Sequence, residues 1–288
     1  MNVLYIFVIF FIIYIILSYL EKYKKRNLIY ICFTGKPYLE LAKLLIRSID
    51  TFLIRDDVDI LIRTNSETMI LCKNWLYKEW TPRNKNINFL YSITNEPFHL
   101  YRFIIDDLFK SYNKILYLDT DILISSNSIN YLFDENIDYN TLYVMHESTK
   151  YNGYEHSFQE KKYTIKQQLE LQKRNIYPFN NGQFIFRYSQ QMKNHFDNII
   201  NIIKSRPHDL FIDQQAMNVY FNNNFLSKSG IINKYTQLFA KDYIVQNYKN
   251  TKESKHKCIM HFCGDIHNGE KKEDHMLQFL KLNKITLN

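Results

Sequence analysis

The sequence predicts an α/β domain with a Rossmann-like, mostly parallel sheet, preceded by one transmembrane helix. From residue 27 to 119, segments patterned like strands alternate with segments patterned like helices, as βαβ units require. Before them, Val3–Leu20 is uncharged and almost entirely apolar. We therefore divide the chain into an anchor at 1–20, a basic juxtamembrane segment at 21–26 and one domain at 27–288.

The apolar run Val3–Leu20 is long enough to cross a thin bilayer as one helix. Its 18 residues would rise roughly 27 Å at about 1.5 Å per residue. A cleaved signal peptide would have basic residues before the apolar run, and none precede this one. A helix packed on a protein core would be apolar on one face, whereas this run is apolar on every face. Four basic residues follow it: Lys22, Lys24, Lys25 and Arg26. The positive-inside rule then places the domain in the cytosol, so we predict a single-pass membrane protein.

The first half of the domain alternates predicted strands and helices. NLIYICFT (27–34) is apolar enough for a buried strand, and Pro37 suits the first turn of the helix after it. In that helix, Leu41, Leu45 and Ile49 recur on one face. The other elements, in chain order, are a strand at 58–64, a helix at 66–80, a strand at 87–93, a helix at 99–112 and a strand at 114–119. Right-handed crossovers between such strands give a parallel sheet.

The second half is less regular but shows no domain boundary. A polar helix is predicted at 156–175, and a turn at Asn180–Gly182 leads into a strand that begins at Gln183. Helices follow at 190–204 and 209–222. No repeat and no linker rich in Pro, Gly or Ser interrupts these elements, so we predict a single domain.

The overall composition is that of a folded protein that does not bind nucleic acid. With 288 residues, 46% of them hydrophobic, the chain can bury a large core, which excludes a disordered protein. The net charge is +8, but the basic residues are interleaved with acidic ones and form no basic stripe. The four cysteines lie in core-like segments without the spacing of a disulfide framework, which suits a reducing compartment.

Two aspartates end the predicted strand at 114–119. In an open α/β sheet, ligands bind outside the carboxyl ends of strands, and residues i and i+2 of an extended chain point to the same side. Asp119 and Asp121 can therefore converge on one ion, and their hard oxygen ligands suit Mg²⁺ or Mn²⁺ shared with a nucleoside diphosphate. The alternative is that one aspartate caps the segment at Ser125 and Ser126 while the other lies on the surface.

Four blocks of sequence, in a fixed order, resemble one enzyme family. They are YRFIIDDLFKSYNKILYLDTDIL, FNNGQFIF, DLFIDQQAMN and IMHFCGDIHNG. Together they resemble the retaining glycosyltransferases of family 8, which include glycogenin-like and lipooligosaccharide galactosyltransferase-like enzymes with the GT-A nucleotide-sugar fold. The resemblance runs from about residue 27 to residue 270. It implies a GT-A fold and a UDP-sugar as the donor.

The resemblance implies a metal site and a contact to the donor diphosphate. Asp119 and Asp121 would bind Mn²⁺ or Mg²⁺ and, through the ion, the diphosphate, with Asp119 also near the ribose and sugar hydroxyls. His261 matches the third metal ligand, although a histidine that is merely satisfied in an apolar strand remains the alternative. Arg102 matches an arginine near the diphosphate and donor sugar. Its alternative is an ion pair with Asp106, four residues further on.

Further matches concern the transferred sugar. Thr120, between the aspartates, is assigned to the same donor site, and Asn180 and Asn181 match positions that line the sugar pocket. Asp213 and Gln214 match the pair closest to the anomeric carbon. Because a glutamine amide is a poor nucleophile, this match implies attack by the acceptor on the same face as the leaving group. Alternatively, or in addition, Asp213 is the N-cap of the helix that follows it.

The last block departs from the family motif, which reads H-[FY]-x-G-x-x-K-P-W. Gly264 keeps the glycine at which backbone approaches phosphate. His267, however, stands where the family has lysine, and Asn268–Gly269 replaces Pro-Trp. A histidine that titrates near neutrality is expected to bind the diphosphate more weakly than a permanently charged lysine. At the end of the first strand, Thr34 and Tyr38 match positions that contact uridine.

These observations predict a membrane-anchored, metal-dependent hexosyltransferase that uses a UDP-sugar, with retention implied by the resemblance. The acceptor would be a glycan, a lipid-linked molecule or a protein, approached through the segment 146–176. A phosphatase of the haloacid dehalogenase type needs Thr or Val at the position of Leu123, so it is the weaker enzyme alternative. A non-catalytic, membrane-anchored protein that binds nucleotide sugars or glycans is the alternative from another class.

Overall fold

The computed structural model describes most of the predicted domain. The residues described are 25–146, 169, 173, 177–206, 212–239, 257–263 and 271–287. The predicted anchor, Gly264, His267 and nearly all of the helix predicted at 156–175 lie outside these residues. Within the described ranges, no helix is both long and apolar enough to span a bilayer.

A seven-stranded sheet forms the centre of the fold. Its strands are β1 (Arg26–Cys32), β2 (Val58–Thr64), β3 (Phe89–Ile93), β4 (Tyr112–Leu118), β6 (Leu142–His146), β7 (Phe179–Phe186) and β8 (Ser227–Lys228). They lie in the order β3-β2-β1-β4-β7-β6-β8. Strands β1 to β4 are parallel, whereas β7 runs antiparallel to both β4 and β6. The predicted mostly parallel α/β sheet is confirmed.

Helices cover both faces of this sheet, and the last of them packs against a second, smaller sheet. They are α1 (Lys36–Phe52), α2 (Ser66–Asn74), α3 (Ile129–Leu132), α4 (Gln190–Lys204), α5 (Ile212–Asn223), α6 (Ile231–Tyr235) and α7 (Lys272–Leu282). Successive residues of β1 point to opposite faces. Ile29 and Ile31 join the core cluster on the face of α1, while Leu28 and Tyr30 join the aromatic cluster on the face of α4. Both faces are buried, which explains the near-continuous apolar run of β1.

A smaller sheet lies beside the first. Its strands are β5 (Ile122–Ile124), β9 (Thr236–Leu238) and β10 (Ile259–His261), in the order β5-β10-β9. Leu123 of β5 and Met260 of β10 pack with Met276 and Phe279 of α7. The chain therefore passes from the large sheet to the small one across Asp119–Asp121, between β4 and β5.

The helix predicted at 99–112 is wrong. The structure has two 3-10 helices, Phe98–Phe103 and Asp107–Ser111, with extended backbone at Ile104 between them. The buried guanidinium of Arg63 donates to the carbonyl of Ile104 and pairs with the carboxylate of Asp106. Because these contacts come from β2, a residue distant in sequence overrides the local helical pattern.

The turn predicted at Asn180–Gly182 is also wrong, because these residues lie within β7. Pairing with β6 passes from Phe184 opposite Val144 directly to Asn180 opposite Met145, so β7 carries extra residues there. The side-chain oxygen of Asn180 accepts from the Gly182 N–H at 2.8 Å. The residues that favour a turn form a bulge inside a strand instead.

Candidate active site

Two aspartates and a histidine converge where the two sheets meet. Asp119, Asp121 and His261, the Asp-Asp-His cluster, each place a possible ligand atom within 4.8 Å of the others. The N–H of Asp119 donates to the carbonyl of Gly182 at 2.7 Å, and the carbonyl of Asp121 accepts from Phe262 N–H at 2.9 Å. Backbone bonds to β7 and to the end of β10 therefore fix the link that carries both carboxylates.

Gly182 allows this close approach. A Cβ at this position would lie 2.5 Å from Cε1 of His261, 2.8 Å from Oδ2 of Asp119 and 2.9 Å from Oδ1 of Asn180. Real Cβ atoms do not come so close to other atoms, so any other residue would push these side chains apart. A glycine is therefore needed at position 182 because the side chains of the cluster occupy the space of a Cβ, and not because the backbone forms a turn there.

The donor atoms of the cluster fit a divalent cation. Two carboxylates and an imidazole form a set of hard and borderline ligands that suits several such ions. Among the described residues, Oδ1 of Asp121 and Nδ1 of His261 are buried without a hydrogen-bond partner. Nε2 of His261 lies 3.2 Å from Oδ1 of Asp121. Unpaired buried polar atoms are costly, and a cation bound here would relieve that cost.

The two carboxylates have different electrostatic surroundings. Burial raises the pKa of Asp119, although Arg102 opposes this shift. Burial acts on Asp121 in the same direction, but His261 and Lys272 outweigh it and hold the pKa of that carboxyl below its usual range. At neutral pH, the carboxyl group of Asp121 is therefore fully ionised. The surface position considered as an alternative for one aspartate is wrong, since both carboxylates are largely buried.

Arg102 connects the cluster to the next part of the site. Its Nη2 lies 3.4 Å from Oδ1 of Asp119 and 3.5 Å from Oδ2 of Asp213. Its Nη1 donates to the carbonyl of Asn181 at 3.1 Å. We call Arg102, Asn181 and Asp213 the Arg102 network. The alternative pairing of Arg102 with Asp106 is wrong, since Asp106 pairs with Arg63.

Helix α5 brings Asp213 to this network. Its carboxylate also lies 3.4 Å from the side-chain amide of Asn181, which donates to it. Because α5 begins at Ile212, Asp213 lies in the first turn rather than at the N-cap, contrary to the alternative considered from the sequence. Gln214 follows it in the same turn. The structure thus places Asp213 beside the bulge of β7.

Asn218, one turn further along α5, was not predicted as a site residue. Its side chain accepts from the N–H of Phe179 at 2.8 Å and donates to the carbonyl of Phe179 at 2.9 Å. It also donates to the carbonyl of Gln214 at 3.0 Å. This buried amide joins α5 to β7 and so positions Asp213. The final asparagine of the D-Q-x-x-x-N block was the signal in the sequence.

Lys272, at the start of α7, was also missed. Its Nζ forms a hydrogen-bonded ion pair with Oδ2 of Asp121. The contact spans 151 residues of sequence, and no local pattern reveals it. The available signal was a pair of lysines, Lys271 and Lys272, shortly after the block in which His267 replaces the family lysine.

Tyr38, one of the two predicted uridine contacts, lines a cavity. Thr34 and Tyr38 lie between the end of β1 and the first turn of α1, and Tyr38 is 45% exposed. The cavity has a volume of about 580 Å³ and is lined by Lys36, Pro37, Tyr38, Glu40, Leu41, Lys271, Lys272 and Glu273. Thr120 is buried between the two aspartates. The roles predicted for Gly264 and His267 stay predictions, since both lie outside the described residues.

The sequence matches the family that its motifs suggest. The model described as Glycosyl transferase family 8 matches residues 6–267, which include the Asp-Asp-His cluster and the Arg102 network. The resemblance inferred from the motifs is confirmed. No curated protein matches the chain.

Three solved glycosyltransferases have a similar fold. The apo structure of the bifunctional enzyme WbbM aligns with a TM-score of 0.59 at 17% identity, over 91% of this chain and 52% of WbbM. Apo GlyE of Streptococcus pneumoniae TIGR4 gives 0.57 at 13% identity, over 89% and 60%. The galactosyltransferase LgtC, in complex with donor and acceptor sugar analogues, gives 0.54 at 11% identity, over 89% and 95%. The chain spans about half of WbbM and three fifths of GlyE, and these likenesses show the GT-A-like fold alone.

Proposed function

Because the chain belongs to glycosyl transferase family 8, we propose that this glycosyltransferase moves a hexose or related sugar from a UDP-sugar to an acceptor hydroxyl, using Mn²⁺ or Mg²⁺. The observation that carries the proposal is the convergence of Asp119, Asp121 and His261 at the carboxyl end of β4. In open α/β sheets this end is where nucleotides bind. The fold is also similar to that of the galactosyltransferase LgtC, which was solved in complex with donor and acceptor sugar analogues, and this likeness supports a reaction of the same class.

Each side chain then has a distinct task. Asp119, Asp121 and His261 would hold the cation, which, when bound, neutralises charge on the departing diphosphate. Arg102 has five N–H donors in a planar fork, so it can bond phosphate oxygens as well as its present partners. Asp213, held by Arg102 and by Asn181 of the same network, would accept hydrogen bonds from sugar hydroxyls.

Anomeric retention is part of the proposal. Gln214 lies beside Asp213, and its neutral amide is a poor nucleophile, which disfavours a covalent sugar on this residue. The bond from the anomeric carbon to the UDP oxygen would break while the acceptor oxygen bonds to the same face. The acceptor proton would pass to the leaving phosphate oxygen, so that free UDP and the glycoside are the products.

Donor hydrolysis and transfer test this proposal. We expect the chain to release UDP from one member of a panel of UDP-sugars with Mn²⁺ and not with EDTA. Asp121→Asn should lower this rate by about 1,000-fold or more, since it removes the charge that binds the cation. Asp107→Asn, an exposed aspartate paired with Lys110, is the matched control and should leave the rate unchanged.

Two other outcomes have defined meanings. UDP that binds with Mn²⁺ while every donor stays intact, with every acceptor tried, would favour a non-catalytic protein that binds nucleotide sugars. No metal-dependent binding of UDP would overturn the proposed function.

We also propose that Val3–Leu20 anchors the enzyme, with its domain in the cytosol and an acceptor close to the membrane. The support is the length and apolar character of the run and the basic residues after it. The segment 146–176 is proposed as the acceptor side. Extraction of membranes at alkaline pH tests the anchor: the chain should stay in the pellet, and Ile12→Lys with Ile13→Lys should release it.

A further inference from the structure

Lys272 occupies one oxygen of a carboxylate that the proposed function assigns to a metal ion. Its Nζ pairs with Oδ2 of Asp121, while Oδ1 of the same carboxylate faces His261. The side chain of Lys272 is 30% exposed, and that of Asp121 only 12%. The ammonium group thus reaches a buried anion from a position that still contacts solvent.

The same lysine lines the cavity between the first turns of α1 and α7. Lys36 and Lys271 add positive charge to its wall, and Tyr38 adds an aromatic surface. Two glutamates also line it, but Glu40 is paired with Lys43 at 3.0 Å. The wall therefore combines lysine side chains with an aromatic ring, two groups that can bind the phosphates and the base of a nucleotide.

A lysine ammonium and a divalent cation compete for Asp121. Two cations on one buried carboxylate repel each other strongly because little water screens them. The flexible four-carbon stem of lysine lets its charge move while its Cα stays in the first turn of α7. When a divalent cation binds Asp121, Lys272 loses its carboxylate partner. The negatively charged diphosphate of the donor can then replace that partner.

We propose that Lys272 exchanges Asp121 for the donor diphosphate when the metal ion binds, and so couples the binding of metal and donor. This inference rests on the proposed function. It also supplies a cation for the diphosphate in a chain in which His267 stands at the position of the family lysine.

Removing the charge of Lys272 should change the affinities for Mn²⁺ and for UDP in opposite directions. In Lys272→Met, the full-length chain should bind Mn²⁺ alone about fivefold more tightly, because the competing charge is gone. The same variant should bind UDP in saturating Mn²⁺ about tenfold more weakly, because a charged phosphate contact is lost. Lys272→Gln should shift both affinities in the same directions, and Lys272→Arg should keep UDP affinity within about threefold of wild type.

Electron paramagnetic resonance of free Mn²⁺ measures the first affinity, and calorimetric titration with UDP, in Mn²⁺ or in EDTA, measures the second. Lys281→Met removes the same charge from an exposed position at the other end of α7 and should change neither. Thermal melting in EDTA checks the folding of each variant, and Lys272→Gln replaces Lys272→Met if the latter does not fold.

The outcomes separate the two proposals. If wild type binds UDP only with Mn²⁺ but Lys272→Met and Lys272→Gln match Lys281→Met in both affinities, the exchange is wrong and the proposed function stands. If both affinities of these variants fall together, Lys272 is merely structural and the exchange is likewise wrong. If wild type does not bind UDP with Mn²⁺, the proposed function fails and the exchange fails with it.

Discussion

The Asp-Asp-His cluster and the Arg102 network adjoin each other but differ in how completely their polar atoms are paired. In the network, Arg102, Asn181 and Asp213 all contact one another. In the cluster, buried atoms of Asp121 and His261 lack hydrogen-bond partners within the described part of the chain. The cluster thus has buried polar atoms that a bound cation could pair, whereas the side chains of the network already hold one another in place.

The largest effect is expected when the space beside Gly182 in the cluster is filled. Gly182→Ala would place a Cβ against His261 and Asp119, so we expect Mn²⁺-dependent UDP binding to weaken at least about 100-fold. Calorimetric titration measures this loss. Gly230 has a φ of +106° and open space around it, so Gly230→Ala should cost about 1–2 kcal/mol of stability without affecting UDP binding. Equal loss of binding in both variants would mean that crowding is not the cause.

A second test opens the network. Arg102→Met leaves the carboxylates of Asp119 and Asp213 without the guanidinium between them. We expect the rate of sugar transfer to fall about 100-fold, since phosphate and sugar contacts are both disturbed. Mn²⁺ alone should bind at least as tightly as in wild type, because a positive charge next to Asp119 is lost.

Parallel loss of Mn²⁺ affinity and transfer in Arg102→Met would show that the network and the cluster are one unit. Arg102→Lys keeps the charge but not the planar fork, and it should recover only part of the transfer rate. This variant distinguishes the charge of Arg102 from its geometry.

The smallest effect on sugar transfer is expected at Asn218, which joins α5 to β7 and does not itself belong to the Arg102 network. Asn218→Ala removes the bonds between α5 and Phe179, so the free energy of unfolding should fall by about 2–3 kcal/mol and transfer by about tenfold. Denaturant unfolding and initial rates measure the two. Asn224→Ala removes an exposed amide that bonds only one carbonyl in the described structure, and it should change stability by less than about 0.5 kcal/mol.

What the sequence predicted depended on local pattern. The order of the strands from β1 to β4, with α1 and α2 between the first three, follows from their periodicity, and the position of Asp119 and Asp121 follows from the end of a buried strand. The family motifs singled out His261 and Asp213. These features are set by residues close in sequence or by motifs that can be read directly.

What the sequence missed depends on contacts between distant residues. Arg63 interrupts the helix predicted at 99–112 from another strand. The bulge of β7 brings Gly182 close to His261, which lies on the other sheet. Lys272 reaches Asp121 across 151 residues of sequence. Each case needs the tertiary arrangement, which periodicity and local propensity do not contain.

Because the chain passes between the two sheets at Asp119–Asp121, a cation bound there would also hold the two sheets together. Asp119 follows a strand of the large sheet, whereas His261 belongs to the small one. An ion held by both resists their separation, and at 100 times its dissociation constant it adds about 2.7 kcal/mol to the stability of the joined state. Amide hydrogen exchange in β10 should therefore slow when the ion binds. The exchange rate of the small sheet would then depend on the concentration of the metal ion.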